Sequence, residues 1–365
     1  ANVKTLCVAN WDTNGDGELL EEEAATVSDL GKVFMRKNIT SFDELQYFIG
    51  LKFIGTDAFY CCTDLTSISI PNSVISIGQY AFASCKGLTS ITIPNSVKTI
   101  DEAAFYGCSN LSSLTIPSSV TSIGYRAFQN CSSLTAIQVE SGNTVFDSRE
   151  NCNAIIETTS NTMVWGCMNT IIPNSVTGIG KLAFSGCLGL TSINIPNSVT
   201  TIDSYAFWEC TNLTSISLPN SVTSIGSGAF ADCWNLATVI IGDALTNIGD
   251  GAFIRCSRLK DMYCYTEQVP ELGSNVFDSS HYNATLHVPE GSLEAYNTTA
   301  QWMDFGIIVA LANSDPTPTG IKGINDDMMT GKSYYAIDGK QMATPQRGLN
   351  IIRMSDGTTK KIVIK

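Results

Sequence analysis

The chain has 365 residues, a formal net charge of −13 and only 15% charged residues, so it is acidic but mainly uncharged. That balance excludes nucleic-acid binding, which needs a basic stripe, and argues against docking on an anionic membrane surface. No apolar run reaches the roughly 18 residues of a membrane span, so no spanning helix is expected. The sequence from Ala1 shows no signal peptide, which says little, since an exported chain met after cleavage would show none.

Residues 3–10, VKTLCVAN, predict a short apolar helix. Asp12, Asn14, Asp16, Gly17, Glu18 and Glu23 follow with the full spacing of a calcium loop. The donors suit a hard cation. Asp12, Asn14 and Asp16 offer side-chain oxygens, Glu18 a backbone carbonyl and Glu23 a bidentate carboxylate, while Gly17 permits the sharp turn. The loop resembles an EF-hand or a dockerin half, which come in pairs, whereas this copy is single. Two readings stand: a weak calcium site, calcium being the only cofactor implied, or an acidic helix start that closes the chain's end without metal. Glu21 to Val33 reads as the exiting helix, and residues 1–38 as a helical N-terminal cap.

From residue 39 a unit recurs with a period of 23 in the numbering. Pro71, Pro94 and Pro117 keep that step, as do Phe184, Phe207, Phe230 and Phe253, and Cys62, Cys85, Cys108 and Cys131. A fixed period of this length marks a solenoid. In the unit starting at Leu88, Leu88, Ile91 and Ile93 fit a short strand, and Pro94-Asn95-Ser96 stops it. Val97 and Ile100 point back inward, and Ala103-Ala104-Phe105 turns a ring into the middle. One repeat buries too little apolar surface to offset its ordering entropy, so neighbours must stack.

The IPNSV runs at Ile70, Ile93, Ile172 and Ile195 and the IGxxAFxxC runs at Ile77 and Ile225 resemble the BspA-like leucine-rich repeats. The resemblance implies an α/β solenoid, a leucine-rich repeat right-handed superhelix of 23-residue repeats. It also implies a secreted or surface-displayed bacterial protein. Such a protein would adhere to a protein ligand, on host extracellular matrix or on another cell.

The chain has thirteen cysteines, and eight share the repeat. Equivalent residues on neighbouring rungs lie about 4.8 Å apart, wider than the roughly 3.8 Å between bridged Cβ atoms. A ladder of buried free thiols is favoured over occasional cross-rung bridges.

The step from Pro117 to Pro173 is 56, ten more than two periods. The excess falls near 140–166, where Ala154–Glu157 and Thr162–Trp165 predict a hairpin that leaves the rod and returns in register. Regular rungs resume at Leu190. A C-terminal cap over 265–312 is expected to include a helix over Gly291–Met303 with Ala295, Tyr296 and Trp302 turned inward, then a strand over Ile307–Leu311. The solenoid thus spans 39–312. Residues 313–320 are a linker by composition. Residues 321–365 predict a small β-module of two hairpins around Asp338-Gly339 and Asp356-Gly357. This module is similar to type IX sorting domains of Bacteroidetes, which implies export and surface association. The alternative is a module that simply packs on the solenoid's end.

Catalysis finds no support. The two histidines, His281 and His287, complete no nucleophilic set, and Gly331-Lys332-Ser333 lacks the first glycine of a phosphate loop, having Asp326 there. The outward strand positions Ser69, Thr92, Thr115, Asn194, Ser217, Ile240 and Tyr263 offer few anchors. The turns carry more: Tyr80, Tyr106, Tyr125, Arg126, Tyr205, Trp208 and Trp234. These rings either cover neighbouring turns or form a partner-binding rim, with Tyr205, Trp208, Trp234, Tyr80 and Tyr125 as its candidates. The rim could serve protein adhesion or, alternatively, carbohydrate capture. A third possibility, an enzyme built on the insertion, is disfavoured because that stretch has no histidine.

Overall fold

Alternation of apolar and polar residues, cut by proline, sets each rung. In Ser215–Leu218 only Ile216 and Leu218 are fully buried. Pro219 ends the strand, Val222 turns inward, and the two-residue strand Ser224–Ile225 follows. The remainder of the rung is a turn that buries Ala229, Phe230 and Cys233. Both strands pair in parallel with their equivalents on the next rung, Ser215 with Thr238 and Ser224 with Asn247. The sequence period thereby becomes a spatial stack of about twelve turns, a leucine-rich repeat solenoid. The computed structural model describes residues 2–318 and the strands Ser333–Ala336, Gln341–Met342, Gly348–Arg353 and Thr359–Ile364.

The stack is held by three columns on one corner. Phe184, Phe207, Phe230 and Phe253 lie with ring centroids 5.0–5.2 Å apart and planes within 5°. Phe59, Phe82 and Phe105 do the same earlier. Beside them, seven buried thiols each donate to a phenylalanine carbonyl of the preceding rung at 2.9–3.3 Å, as Cys233 Sγ does to Phe207 O. All thirteen cysteines are free. The thiols are therefore more than small apolar filler, since each adds a second hydrogen bond to a carbonyl that already accepts the N–H three residues on. Burial pushes Cys233 up to about 12, so it stays protonated and able to donate.

The third column is backbone. Two residues in each regular turn adopt a left-handed conformation, as with Tyr205 (φ 59°) and Glu209 (φ 58°). For non-glycine residues this costs roughly 1–2 kcal/mol each. The conformation directs Tyr205, Phe207 and Glu209 N–H onto Ser227, Ala229 and Ala231 carbonyls at 2.7–3.0 Å, which offsets the cost.

The insertion does not leave the rod. Phe146–Asp147, Ala154–Glu157 and Thr162–Gly166 pair antiparallel, and Thr162–Gly166 then pairs in parallel with Gly178–Ile179. The short-strand ladder is thus split into four strands ending at Ser122–Ile123 and eight beginning at Phe146–Asp147. Apolar residues on this hairpin (Ile155, Ile156, Met163, Trp165) are buried, so it stays within the stack. Trp165 sits edge-on to Phe128 at 6.0 Å. Gly166 is required beside it, because a Cβ there would lie 2.3 Å from the Phe184 ring.

Other departures concern the ends. The first helix is α1, Val3–Trp11, and the exiting helix α2 stops at Thr26, not Val33. After it the chain leaves the helix to bury Leu30 and Phe34 in the core. The C-terminal helix α3 is only Leu293–Thr298. Tyr296 and Trp302 are buried, but Ala295 faces solvent and Trp302 lies beyond the helix. The composition-based linker packs back through residue 318: Tyr265 OH donates to Pro316 O at 2.9 Å, and Asp315 lies 3.6 Å from His287.

Residues 321–365 form a separate unit. Its strands Ser333–Ala336 and Gln341–Met342 pair antiparallel, as do Gly348–Arg353 and Thr359–Ile364. The Asp338-Gly339 and Asp356-Gly357 turns, and most of the stretch that carries the sorting-domain resemblance, lie outside the described residues.

Two measurements test these columns. Phe207→Ala should cost about 3–5 kcal/mol by urea denaturation, since both stacking neighbours lose a partner. In the folded chain at pH 8, alkylation followed by mass spectrometry should find half-buried Cys61 modified well before the hydrogen-bonded thiols.

Candidate interaction surface and N-terminal loop

The turn column that carries Tyr205 also brings Trp208 and Trp234 together. Tyr205 and Trp208 meet edge-to-face at 6.1 Å. Gly228 (φ 61°) lies beneath, and a Cβ on it would stand 2.5 Å from the Tyr205 ring, so the glycine makes room for the tyrosine. Tyr205 is 39% exposed and Trp234 53%, while Trp208 is half-buried.

A residue not singled out in the sequence organises this rim. Asp232 is 8% exposed and accepts from Trp208 Nε1 at 3.0 Å, Trp234 Nε1 at 3.3 Å and Arg255 at 3.1 Å. Burial alone would raise its carboxyl, but the hydrogen bonds from Trp208, Arg255 and Trp234 hold it below its ordinary 3.8. Asp232 and Arg255 are one period apart, at the left-handed turn position that follows each phenylalanine. Aligning the repeats on that column would have exposed an acid beneath a base. Burial, and then the Asp232 charge, push neighbouring Glu209 up.

Tyr80 and Tyr125 do not join the group. Tyr80 is half-buried, with its backbone N–H on Glu102 O. Tyr125 is 40% exposed and carries Arg126 and Lys181 against its ring. The outward strand face is drier than expected at its C-terminal end, where Ile240 is 9% exposed and Tyr263 stacks on His287 at 4.2 Å.

In the N-terminal loop the donor chemistry fits a hard cation, but the oxygens are turned onto the loop itself. Asp12 accepts from Gly15 and Gly17 N–H, Asn14 from Asp16 N–H, and Asp16 from Glu18 N–H. Glu23 accepts from Thr13 N–H and hydroxyl, Asn14 N–H and Leu20 N–H. These bonds, led by the Thr13 hydroxyl, lower Glu23 to about 2. The Glu18 carboxylate pairs with Lys4 at 2.6 Å. Among the described residues no group of three or more His, Cys, Asp or Glu is placed to hold a metal ion.

Comparison with known proteins agrees with this architecture. The chain belongs to the BspA type leucine-rich repeat region family, six copies of which match residues 52–164 and 164–284. No curated protein matches it. It is similar to a leucine-rich repeat protein of Bacteroides ovatus, with 26% identity and a TM-score of 0.51. That match covers 78% of this chain and 64% of the other, so this chain spans less than two thirds of that relative. It is also similar to the pneumococcal vaccine antigen PcpA, at 18% identity and a TM-score of 0.49, over 72% of both chains. A leucine-rich cell surface protein of Faecalibacterium prausnitzii shares 24% identity with a TM-score of 0.45, over 79% of this chain and 83% of that one. Leucine-rich repeat solenoids are typically binding scaffolds for other proteins and not enzymes. No described helix is long and apolar enough to cross a membrane.

The rim has a pH signature. A lowered folded pKa means that the Asp232 contribution is present above 3.8 and lost as pH falls through the lowered value. Tryptophan emission should therefore show an acid transition below 3.8, separate from that of the raised Glu209 carboxyl above 4.5. Asp232→Asn should shift the emission already at pH 7, and Trp208→Phe with Trp234→Phe should remove the acid transition.

Proposed function

We propose that this chain is a secreted or surface-displayed scaffold that mediates adhesion by binding a protein, on host extracellular matrix or on a neighbouring cell. The observation that carries the reading is the rim of Tyr205, Trp208 and Trp234 ordered around Asp232 and Arg255. Tyr, Trp and Arg are the residues that dominate protein-binding hot spots, and rings fixed by hydrogen bonds lose little entropy on binding. Solenoid stacking supplies the rigid backing. The unstrained choice at the Tyr205 position is glycine, which Gly228 and Gly251 adopt one and two rungs on. A large ring there, despite its conformational cost, favours a role at the surface.

The family resemblance supports the surface location, and the sorting-like C-terminal module supports export. The loop of Asp12, Asn14, Asp16, Glu18 and Glu23 is proposed to take a calcium ion when the Glu23 and Asp12 carboxylates swing off the backbone, stiffening the N-terminal cap.

The test is binding of the purified chain to immobilised extracellular-matrix proteins, with calcium and with chelator. Replacing Tyr205, Trp208 and Trp234 together with Ser should lower affinity at least about tenfold, with the chain still folded and unfolding cooperatively at a somewhat lower temperature. Full binding by that variant would exclude the rim. Calcium should raise the cap's melting temperature without being needed for binding, and loss of that shift in Glu23→Gln would assign it to the loop.

A further inference from the structure

The insertion opens a cleft in the corner of the stack. Elsewhere on this corner each turn donates N–H groups to the next rung. Tyr80 reaches Glu102 O, Ala103 Tyr125 O, Leu182 Ser204 O and Tyr205 Ser227 O, at 2.9–3.2 Å. Arg126 holds the same position with the same left-handed backbone (φ 59°) but makes no such bond. Beside it, Gly166 N–H takes the Ala183 carbonyl that the Phe128 N–H would otherwise meet. Between the end of the four-stranded ladder and the start of the eight-stranded one lies a cavity of about 430 Å³. This is room for a sugar-sized molecule.

The walls of the cavity are chemically unequal. Arg126 Cζ and Lys181 Nζ lie 4.9 and 5.0 Å from the centroid of one ring, Tyr125, so a single side chain gathers both cations. Neither has a carboxylate within ion-pair reach among the described residues, in a chain with 34 acidic and 21 basic side chains. Arg126 Nε is shielded from water and has no hydrogen-bond partner. Two unpaired like charges held on one ring, beside a donor without an acceptor, are costly unless an anion joins them. Glu157 and Asp203 also line the cavity. One oxygen of each is engaged, with the Ser160 hydroxyl and Ser204 N–H, leaving the other to accept. Trp165 contributes to the lining of the cavity.

We propose that this cleft binds an acidic sugar, a carboxylate carried on a hydroxylated ring. The carboxylate lies between Arg126 and Lys181, ring hydroxyls donate to Glu157 and Asp203, and the apolar sugar face rests against half-buried Val145 and Val164. A dianion would be repelled by Glu157 and Asp203, and a neutral sugar would leave both cations unpaired. The site is separate from the aromatic rim and does not depend on its role.

Calorimetric titration of the full chain with glucuronate and with N-acetylneuraminate distinguishes uronate from sialate sources. At least one should bind with Kd of about 1 mM or tighter. Arg126→Gln with Lys181→Gln should weaken it at least about tenfold, with unchanged thermal unfolding, and the rim triple-Ser variant should bind as the parent does. No binding of either acid sugar would overturn the proposal. So would equal binding of glucose, of sulfate or of a zwitterionic amino acid, or undiminished affinity in the double variant.

Discussion

The spacing between rungs governs this molecule. Parallel strands settle about 4.8 Å apart, and the phenylalanine rings, at 5.0–5.3 Å between centroids, stack at nearly that distance with a slight slide. Offset stacking is the arrangement that aromatic quadrupoles prefer. The same spacing lets a cysteine on one rung reach the phenylalanine carbonyl of the rung before. It also lets a left-handed turn aim its N–H groups at the next turn. Each column suits the others, and a side chain that broke the step in one would break it in all three.

The insertion breaks the step by ten residues, and the chain meets it by imitation. Thr162–Gly166 lies where a short strand should be, Trp165 stands in the phenylalanine column, and Gly166 supplies the missing N–H. The imitation is incomplete. It restores the ladder toward Gly178 but leaves Ser122–Ile123 and Arg126 with no rung beyond them. Solenoid folding tolerates this because each rung needs only its neighbours. The tolerated gap is also where side chains of unusual chemistry collect.

The aromatic rim follows a different logic. The alanine just before each phenylalanine is buried in every regular rung, whereas the two left-handed positions that flank this pair vary between Gly, Ala, Ser, Tyr, Asp and Arg. Where three rungs in succession place Tyr205, Trp208, Asp232, Trp234 and Arg255 at or beside those positions, the regular stack brings them into one hydrogen-bonded group. Regular repetition makes such groups possible without any loop designed to hold them.

Period and composition alone determined the solenoid, its repeating step and the burial of its phenylalanines and cysteines, because stacking identical units leaves those side chains one place to go. The bounds of the insertion were legible as well, from the surplus over two periods in an otherwise regular count. Tertiary structure decided the rest. Whether the hairpin left the rod depended on partners for Ile155, Ile156 and Trp165, which sit in other rungs. The left-handed turns were hinted at only by Gly107, Gly186, Gly228 and Gly251, since the bonds that sustain Tyr205 or Asp232 in that conformation come from the next turn. The carboxylate of Asp232 looked like ordinary polar surface until Trp208 and Arg255, on the rungs before and after it, were folded onto it. Arg126 and Lys181 lie on opposite sides of the insertion in the chain and meet on Tyr125 only because the insertion folds inside the stack. A periodic sequence fixes what every rung shares; contacts between unlike rungs fix what makes one surface different from another.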